Sequence, residues 1–480
     1  MTNSQNGAIS GAPRNSPSEH PSKKASSKAP RRIVESALAV AAAMVVGSVA
    51  LEVTNSDDEP ATKFAASSYD VEWSTLGMGA GGWVTGIIRT SDPDVMYSRT
   101  DVGGAYRWDA DARRWDQMLR PDNVPAHILA AISEHSNGVG AIAVDPNNSN
   151  NVWLTLGNEE SEATYSSHVM RSTDGGRTWL ASTTEFSIAG NNIYRWMTER
   201  LSVEDGGRVW LGTRRQGAWF SDDGGDNFQQ VSTSMIPTES ADPSRTSESG
   251  VSFIVSDPSG GVDSAGNANI VYAGVSGVGV MRSADAGLNW TNIRSVDVEH
   301  ALSGGEVVDG RFFVTASGPY TGTTGFVAYY ENGSWTEVVH PSGLTSTFWD
   351  IVVNPNDKTE WITIRDAEIS RHDKMSWTAD NGATYSVPRY TTDAGDQWHD
   401  AASEPETRAL PIGDIRWDDD SDRLWIAEGI GVWYADLPDE PSNDELQVKW
   451  AGDGIEELVT GNIISPPGGK VLSTAYDFHG

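Results

Sequence analysis

The chain has 480 residues, 49 of them glycine and 19 tryptophan, and no cysteine. That excludes a disulfide framework, a thiolate metal site and a cysteine nucleophile, and it suits many tight turns between large apolar side chains, an all-β composition. A formal net charge of −33 excludes nucleic acid as a partner, since phosphate binding needs a basic surface, whereas a neutral polymer tolerates an acidic one.

In chain order, residues 1–32 are rich in Ser, Pro and Lys and carry Arg14, Lys23, Lys24, Lys28, Arg31 and Arg32 against the single acid Glu19. They read as a disordered basic leader. An apolar run from Ser36 to Leu51 follows, so residues 33–53 read as a signal peptide with small residues at Ser48-Val49-Ala50 for cleavage. Arg31-Arg32 hints at a twin-arginine signal. The alternative is an uncleaved signal anchor with its basic side in the cytoplasm. Either way the chain is exported, and it is secreted or held at the membrane by this segment alone. Residues 54–69 read as a linker.

From about Val84 the sequence repeats every 50–60 residues or so, the interval that marks propellers. Each unit is an apolar strand, a turn rich in Asp, Pro or Asn, two further strands and an aromatic. Units start near Val84, Ala141, Leu201, Ser252, Gly304, Asp350 and Asp414. Residues 70–455 are therefore expected to form a seven-bladed β-propeller with four strands per blade and almost no helix.

Four units end in an Asp box, S/T-x-D-x-G-x-x-aromatic, at Ser172–Trp179, Ser221–Phe228, Ser283–Trp290 and Thr378–Tyr385. The Asp bonds turn amides, Gly supplies a positive φ and the aromatic returns to pack between blades. Asp174, Asp223, Asp285 and Asp380 are therefore structural. Degenerate boxes fall at Trp108–Trp115 and Tyr330–Trp335, and Asp418-Asp419-Asp420 reads as a solvated turn. No cluster of His, Asp or Glu has metal-ligand spacing, and no cofactor is called for.

Fold alone decides little about function; the particular segments decide more. The chain holds Val84-Thr85-Gly86-Ile87-Ile88, then RTDVGGAYRW from Arg99, Glu199-Arg200-Leu201 and Gly318-Pro319-Tyr320. Near its end stand Gly454-Ile455-Glu456-Glu457, IISPPG from Ile463, and Leu472-Ser473 leading to Asp477. In this order and phase they resemble glycoside hydrolase family 74, the xyloglucanases and related β-1,4-glucan-cleaving enzymes, over about residues 70–480. The resemblance implies two propellers facing across a cleft and hydrolysis with inversion by a pair of acids.

Carried over by motif, Asp101 is the general base and Asp477 the general acid. One carboxyl protonates the departing oxygen and the other activates water on the opposite face of the sugar. The second motif departs from the family pattern, with Tyr476 where a Gly usually precedes the acid and Phe478-His479 after it. Residues 456–480 then read as the start of a truncated second lobe, so the chain alone is expected to hydrolyse xyloglucan poorly.

Trp196 and Trp349 lie off the packing phase and are candidates for stacking on sugar. The implied protein is a monomeric extracellular glycoside hydrolase, or the first lobe of one, acting on a polysaccharide. The alternative is a non-catalytic cell-surface propeller that binds glycan or protein. A sialidase is disfavoured, because the arginine cluster for the sialate carboxylate is missing.

Overall fold

Apolar runs this short, each cut by a Gly, Asp or Asn turn, pair with their chain neighbours as antiparallel hairpins. A computed structural model shows the result. It describes residues 82–475 apart from 102–103, 132–137, 158–166, 187, 189–198, 238–249, 318–324, 339–347, 366–374, 394–411, 419, 430, 458–459 and 470–471. The leader, the apolar run, the linker, Trp196, Asp477 and Gly318-Pro319-Tyr320 lie outside the described residues. No helix among the described residues is long and apolar enough to cross a membrane.

The described strands form eight sheets: seven are set around a ring, the seven-bladed propeller that the repeat predicts, and the eighth is the two-stranded pair Thr460–Ile464 and Leu472–Ala475. Blade 1 runs Val84–Arg89, Met96–Thr100, Ala105–Asp109 and Arg114–Gln117; blade 2 runs Gly138–Asp145, Asn148–Gly157, His168–Ser172 and Leu180–Ala181. Blade 3 runs Leu201–Val203, Val209–Gly212, Ala218–Ser221 and Gln229–Gln230; blade 4 runs Val251–Val262, Ala268–Val275, Gly279–Ser283 and Thr291–Ser295. Blade 5 runs Ala301–Val308, Arg311–Ser317, Phe326–Glu331 and Ser334–Val338. Every predicted unit start falls on or beside the first, innermost strand of a blade. The only helix among the described residues is Ala126–Ala131, between blades 1 and 2.

Blades 6 and 7 depart from four strands each. Blade 6 has three, Phe348–Asn354, Asp357–Arg365 and Met375–Thr378, with its fourth position reduced to the Trp377–Ser386 bridge. Blade 7 has Ile412–Trp417, Arg423–Glu428, Gly431–Asp436 and Glu445–Trp450, and gains Arg389–Asp393 as a parallel fifth strand on its outer edge. Pro388 has no N–H for a ladder, and Val387 N donates to Asn443 Oδ1 of blade 7 at 2.8 Å. The chain therefore leaves blade 6 there and crosses over.

The innermost strands neighbour one another in chain order, and the seventh lies beside the first. Ring closure has an identifiable seam: Ile87 N of blade 1 donates to Asp414 Oδ2 of blade 7 at 2.7 Å. Beyond blade 7 the chain passes under Trp115 of blade 1, whose N donates to Asp453 O and whose Nε1 donates to Ala451 O, both at 2.7 Å. Trp115, Ile455, Trp425 and Val432 share one core across this seam. Large aromatics fill the other wedges, and Trp210, Trp361, Trp377 and Trp433 are buried. A fully buried large side chain stabilises by roughly 1.5–3 kcal/mol relative to exposure.

Because strands alternate in direction, the turns between first and second and between third and fourth strands share one face of the disk. Those between second and third strands share the other. All four Asp boxes join third to fourth strands, so they lie on the face opposite the turn that carries Asp101.

Candidate functional site

Asp101 follows the second strand of blade 1, half-buried, at the head of the turn to the third strand. The backbone holds that turn tightly: Thr100 N donates to Gly104 O at 3.0 Å, and Asp101 N donates to Trp83 O at 3.1 Å. Gly104, at φ 134°, takes a backbone conformation that side chains resist. Its N donates to Thr100 Oγ1 at 3.0 Å.

Two distant segments converge on this strand. Arg99, 1 % exposed, pairs through Nε with Glu199 Oε1 at 2.8 Å, and its Nη1 donates to Thr85 Oγ1 at 2.8 Å. Glu199 Oε2 accepts Ile142 N of blade 2 at 2.8 Å. The pair has room because Gly86 lies beside it: a Cβ there would stand 2.6 Å from Glu199 Oε1 and 2.7 Å from Arg99 Nε. From the far end of the chain, Glu457 Oε1 accepts Thr100 Oγ1 at 2.9 Å and the Tyr106 hydroxyl. Burial first, and the Glu457 carboxylate next, push the Tyr106 phenol well above its ordinary pKa, so it stays a proton donor. The RTDVGGAYRW, Glu199 and GIEE segments therefore form one contact set.

Six innermost strands share a second feature, a register break near their start: at Val84/Gly86, Val139/Ile142, Val251/Phe253, Leu302/Gly304, Phe348/Asp350 and Ile412/Asp414. Such bulges re-aim side chains at functional rims. Thr85, Ser252, Ser303 and Gly413 occupy four of these positions, and Trp349 occupies another. Trp349 is 8 % exposed and packs with Ala301 of blade 5 and with Trp83, which precedes blade 1. Trp83 thus belongs to two groupings, through its carbonyl to the Asp101 turn and through its ring to Trp349. The sequence reading missed it, although its place in Gly82-Trp83-Val84, immediately before the first strand, was a usable signal.

At two of these breaks, Asp414 and Asp350 share one guanidinium, Arg416 Nη1, at 2.9 and 3.4 Å. Burial drives the Asp350 carboxyl well above the usual range against the pull of Arg416. Burial also works against the Arg416 charge, but Asp414 and Asp350 outweigh it and hold the pKa up. Among the described residues no group of three or more His, Asp or Glu could hold a metal ion.

The box carboxylates behave otherwise. Asp174 Oδ1 accepts Ser172 Oγ, Arg177 N and Thr178 N at 2.7–3.0 Å, and its Oδ2 accepts Thr178 Oγ1. Burial pushes this carboxyl up, but these bonds outweigh it and bring its pKa to about 2. Asp223 likewise falls to about 2, chiefly through Asn227. In three of the boxes the fourth residue also reaches the preceding blade: Gly224 O accepts Trp153 Nε1 at 2.7 Å, Ala286 O accepts Arg208 Nη1 at 2.6 Å, and Asn381 Oδ1 accepts Arg311 Nη1 at 2.6 Å. Asp418, read as part of a solvated turn, instead pairs with Arg89 Nε at 2.8 Å and accepts Trp425 Nε1 at 3.0 Å. It ties blade 7 to blade 1.

No family model matches the chain. It is similar to a xyloglucanase of a Paenibacillus species, 29 % identical over 462 residues that cover 86 % of this chain and 44 % of that protein. It is also similar to a xyloglucanase of Acetivibrio thermocellus, 27 % identical with 86 % and 53 % covered. Among solved structures, a glycoside hydrolase family 74 enzyme of Niastella koreensis superposes with TM-score 0.69 at 27 % identity, covering 83 % of this chain and 58 % of that one. A family 74 xyloglucanase of Xanthomonas campestris superposes with TM-score 0.67 at 26 % identity over the same shares. The chain spans about half the length of the curated relatives it matches.

Proposed function

From the chain's likeness to the glycoside hydrolase family 74 xyloglucanases across its whole propeller, we propose that it is, or is part of, an exported inverting glycoside hydrolase acting on xyloglucan or a related β-1,4-glucan. The observation that carries this reading is the convergence on Asp101. Glu457 and the Arg99–Glu199 pair both brace the strand and turn that bear this one carboxylate, on the face free of Asp boxes. A carboxylate kept on a fixed turn, its backbone tied to Trp83 O, has what a general base needs first: a held position.

Asp101 is assigned as general base and Asp477 as general acid. Support for the second comes from the chain path. Thr460 follows Glu457 by three residues and pairs with Ala475, so the chain returns to within a few residues' reach of the Asp101 turn just before Asp477. The inverting arrangement requires carboxyls about 6.5–9.5 Å apart, with water between base and sugar. Trp83 and Trp196 are assigned as the aromatic surface for the glucan backbone, with Trp349, 8 % exposed, packed in one group with Trp83 as its support. The enzyme is read as a monomer that needs no cofactor and meets its polymer outside the cell.

Reducing-sugar release from xyloglucan tests this. The wild-type protein releases product slowly, as expected of a chain that spans about half the length of its relatives, and Asp101→Asn lowers that rate by about 10²–10⁴-fold with unfolding unchanged. Equal rates in the two proteins would remove the assignment.

A further inference from the structure

We propose that Glu457 is a positioning residue for Asp101, and that it couples closure of the propeller ring to the geometry of the site; this rests on the reading of Asp101 as the general base. A carboxylate on a turn is only as well aimed as the two strands that carry the turn. Glu457 Oε1 grips both of them. On the incoming strand it accepts Thr100 Oγ1 at 2.9 Å, and on the outgoing strand it accepts the hydroxyl of Tyr106, 3 % exposed. Thr100 has one hydroxyl proton, and the contact with Glu457 is shorter than the 3.4 Å alternative to Gly104 O. The proton therefore goes to Glu457, which leaves the Thr100 oxygen to accept Gly104 N at 3.0 Å. Three hydrogen bonds in series thus run from Tyr106 through Glu457 and Thr100 to Gly104 of the turn.

The segment that delivers Glu457 is itself the seam of the ring. Ala451 and Asp453 accept the Trp115 side chain and backbone, and Ile455 is fully buried between blades 7 and 1. At Gly454 a Cβ would stand 2.1 Å from Trp115 O, so the chain passes against blade 1 too closely for any side chain there. Glu457 has little freedom to follow a moving turn. It fixes the turn when the ring is closed, and the turn loses its tether when the seam opens.

The experiment uses the full chain with Glu457→Ala, Glu457→Gln and Tyr106→Phe. Gln keeps an oxygen that accepts from both hydroxyls, so it separates an acceptor role from a charge role. Hydrogen exchange at the amides of Thr100, Asp101 and Gly104 is expected to quicken about tenfold or more in Glu457→Ala, to stay near wild type in Glu457→Gln, and to rise partway in Tyr106→Phe. Blade 4 amides stay unchanged throughout. On xyloglucan, Glu457→Ala is expected to lower kcat by about 10–100-fold with KM little changed, and Glu457→Gln to restore most of it. Unchanged exchange at the turn in Glu457→Ala, equal damage from Gln and Ala, or loosening spread over all blades would each overturn the proposal. Product release that is equal in wild type and Asp101→Asn would sink the base assignment instead, and the exchange data would still decide whether Glu457 tethers the turn.

Discussion

Carboxylates in this chain divide by what they touch, and each class has its own pH signature. Asp174 and Asp223, held by hydroxyls, side-chain amides and turn N–H groups, have folded pKa values of about 2. The stability they contribute is present above the unfolded carboxyl value, near 3.9, and is lost as pH falls through about 2. Asp174→Ala is expected to cost about 1–2 kcal/mol at pH 7, a deficit that shrinks in urea titrations towards pH 2. Asp350 runs the other way. Its raised pKa means that the folded state keeps a proton which the unfolded chain has released, so stability falls as pH climbs above the unfolded value. Asp350→Asn, which can still accept Ile351 N, is therefore expected to melt higher than wild type at pH 7 and equally at pH 3. A lower melting temperature at pH 7 would show that the Arg416–Asp350 attraction outweighs burial. The sequence distinguished the box aspartates from Asp101, because the boxes are local patterns. It could not distinguish Asp418 from a solvated turn, because Arg89 reaches it only through ring closure.

At the scale of strands, the repeat was legible because each hairpin is closed by its own turn residues. What escaped was set by contacts between blades. Arg389–Asp393 joins blade 7 because Pro388 and Asn443 redirect it, and nothing within the blade 6 repeat announces that. The bulges, too, are visible only in register, yet they set Trp349 at the rim and make Gly86 necessary. Gly86→Ala would place a methyl against both partners of the Arg99–Glu199 pair. It is expected to destabilise by about 1–3 kcal/mol and to slow hydrolysis as well, because Arg99 precedes Thr100 and Asp101. Thermal unfolding with wild-type activity would mean that the pair holds the blades but leaves the turn unaffected.

Over the whole molecule, the disk segregates its two kinds of acid: structural boxes on one face, where those of blades 3, 4 and 6 staple their blade to the one before, and Asp101 on the other. Of the candidate site, the sequence made Asp101 legible through its motif, and it marked Glu457 as part of a second motif without showing that the two meet. That contact spans 357 positions in Thr100–Glu457 and exists only in the closed ring. The central claim, that this face cleaves a β-1,4-glucan with inversion through Asp101, is tested most directly by proton NMR of the first products released from xyloglucan by the protein and by Asp101→Asn. The account predicts the α-anomer first from the wild type and a rate about 10²–10⁴-fold lower from Asp101→Asn. A β-anomer appearing first, or equal release by both proteins, would contradict it.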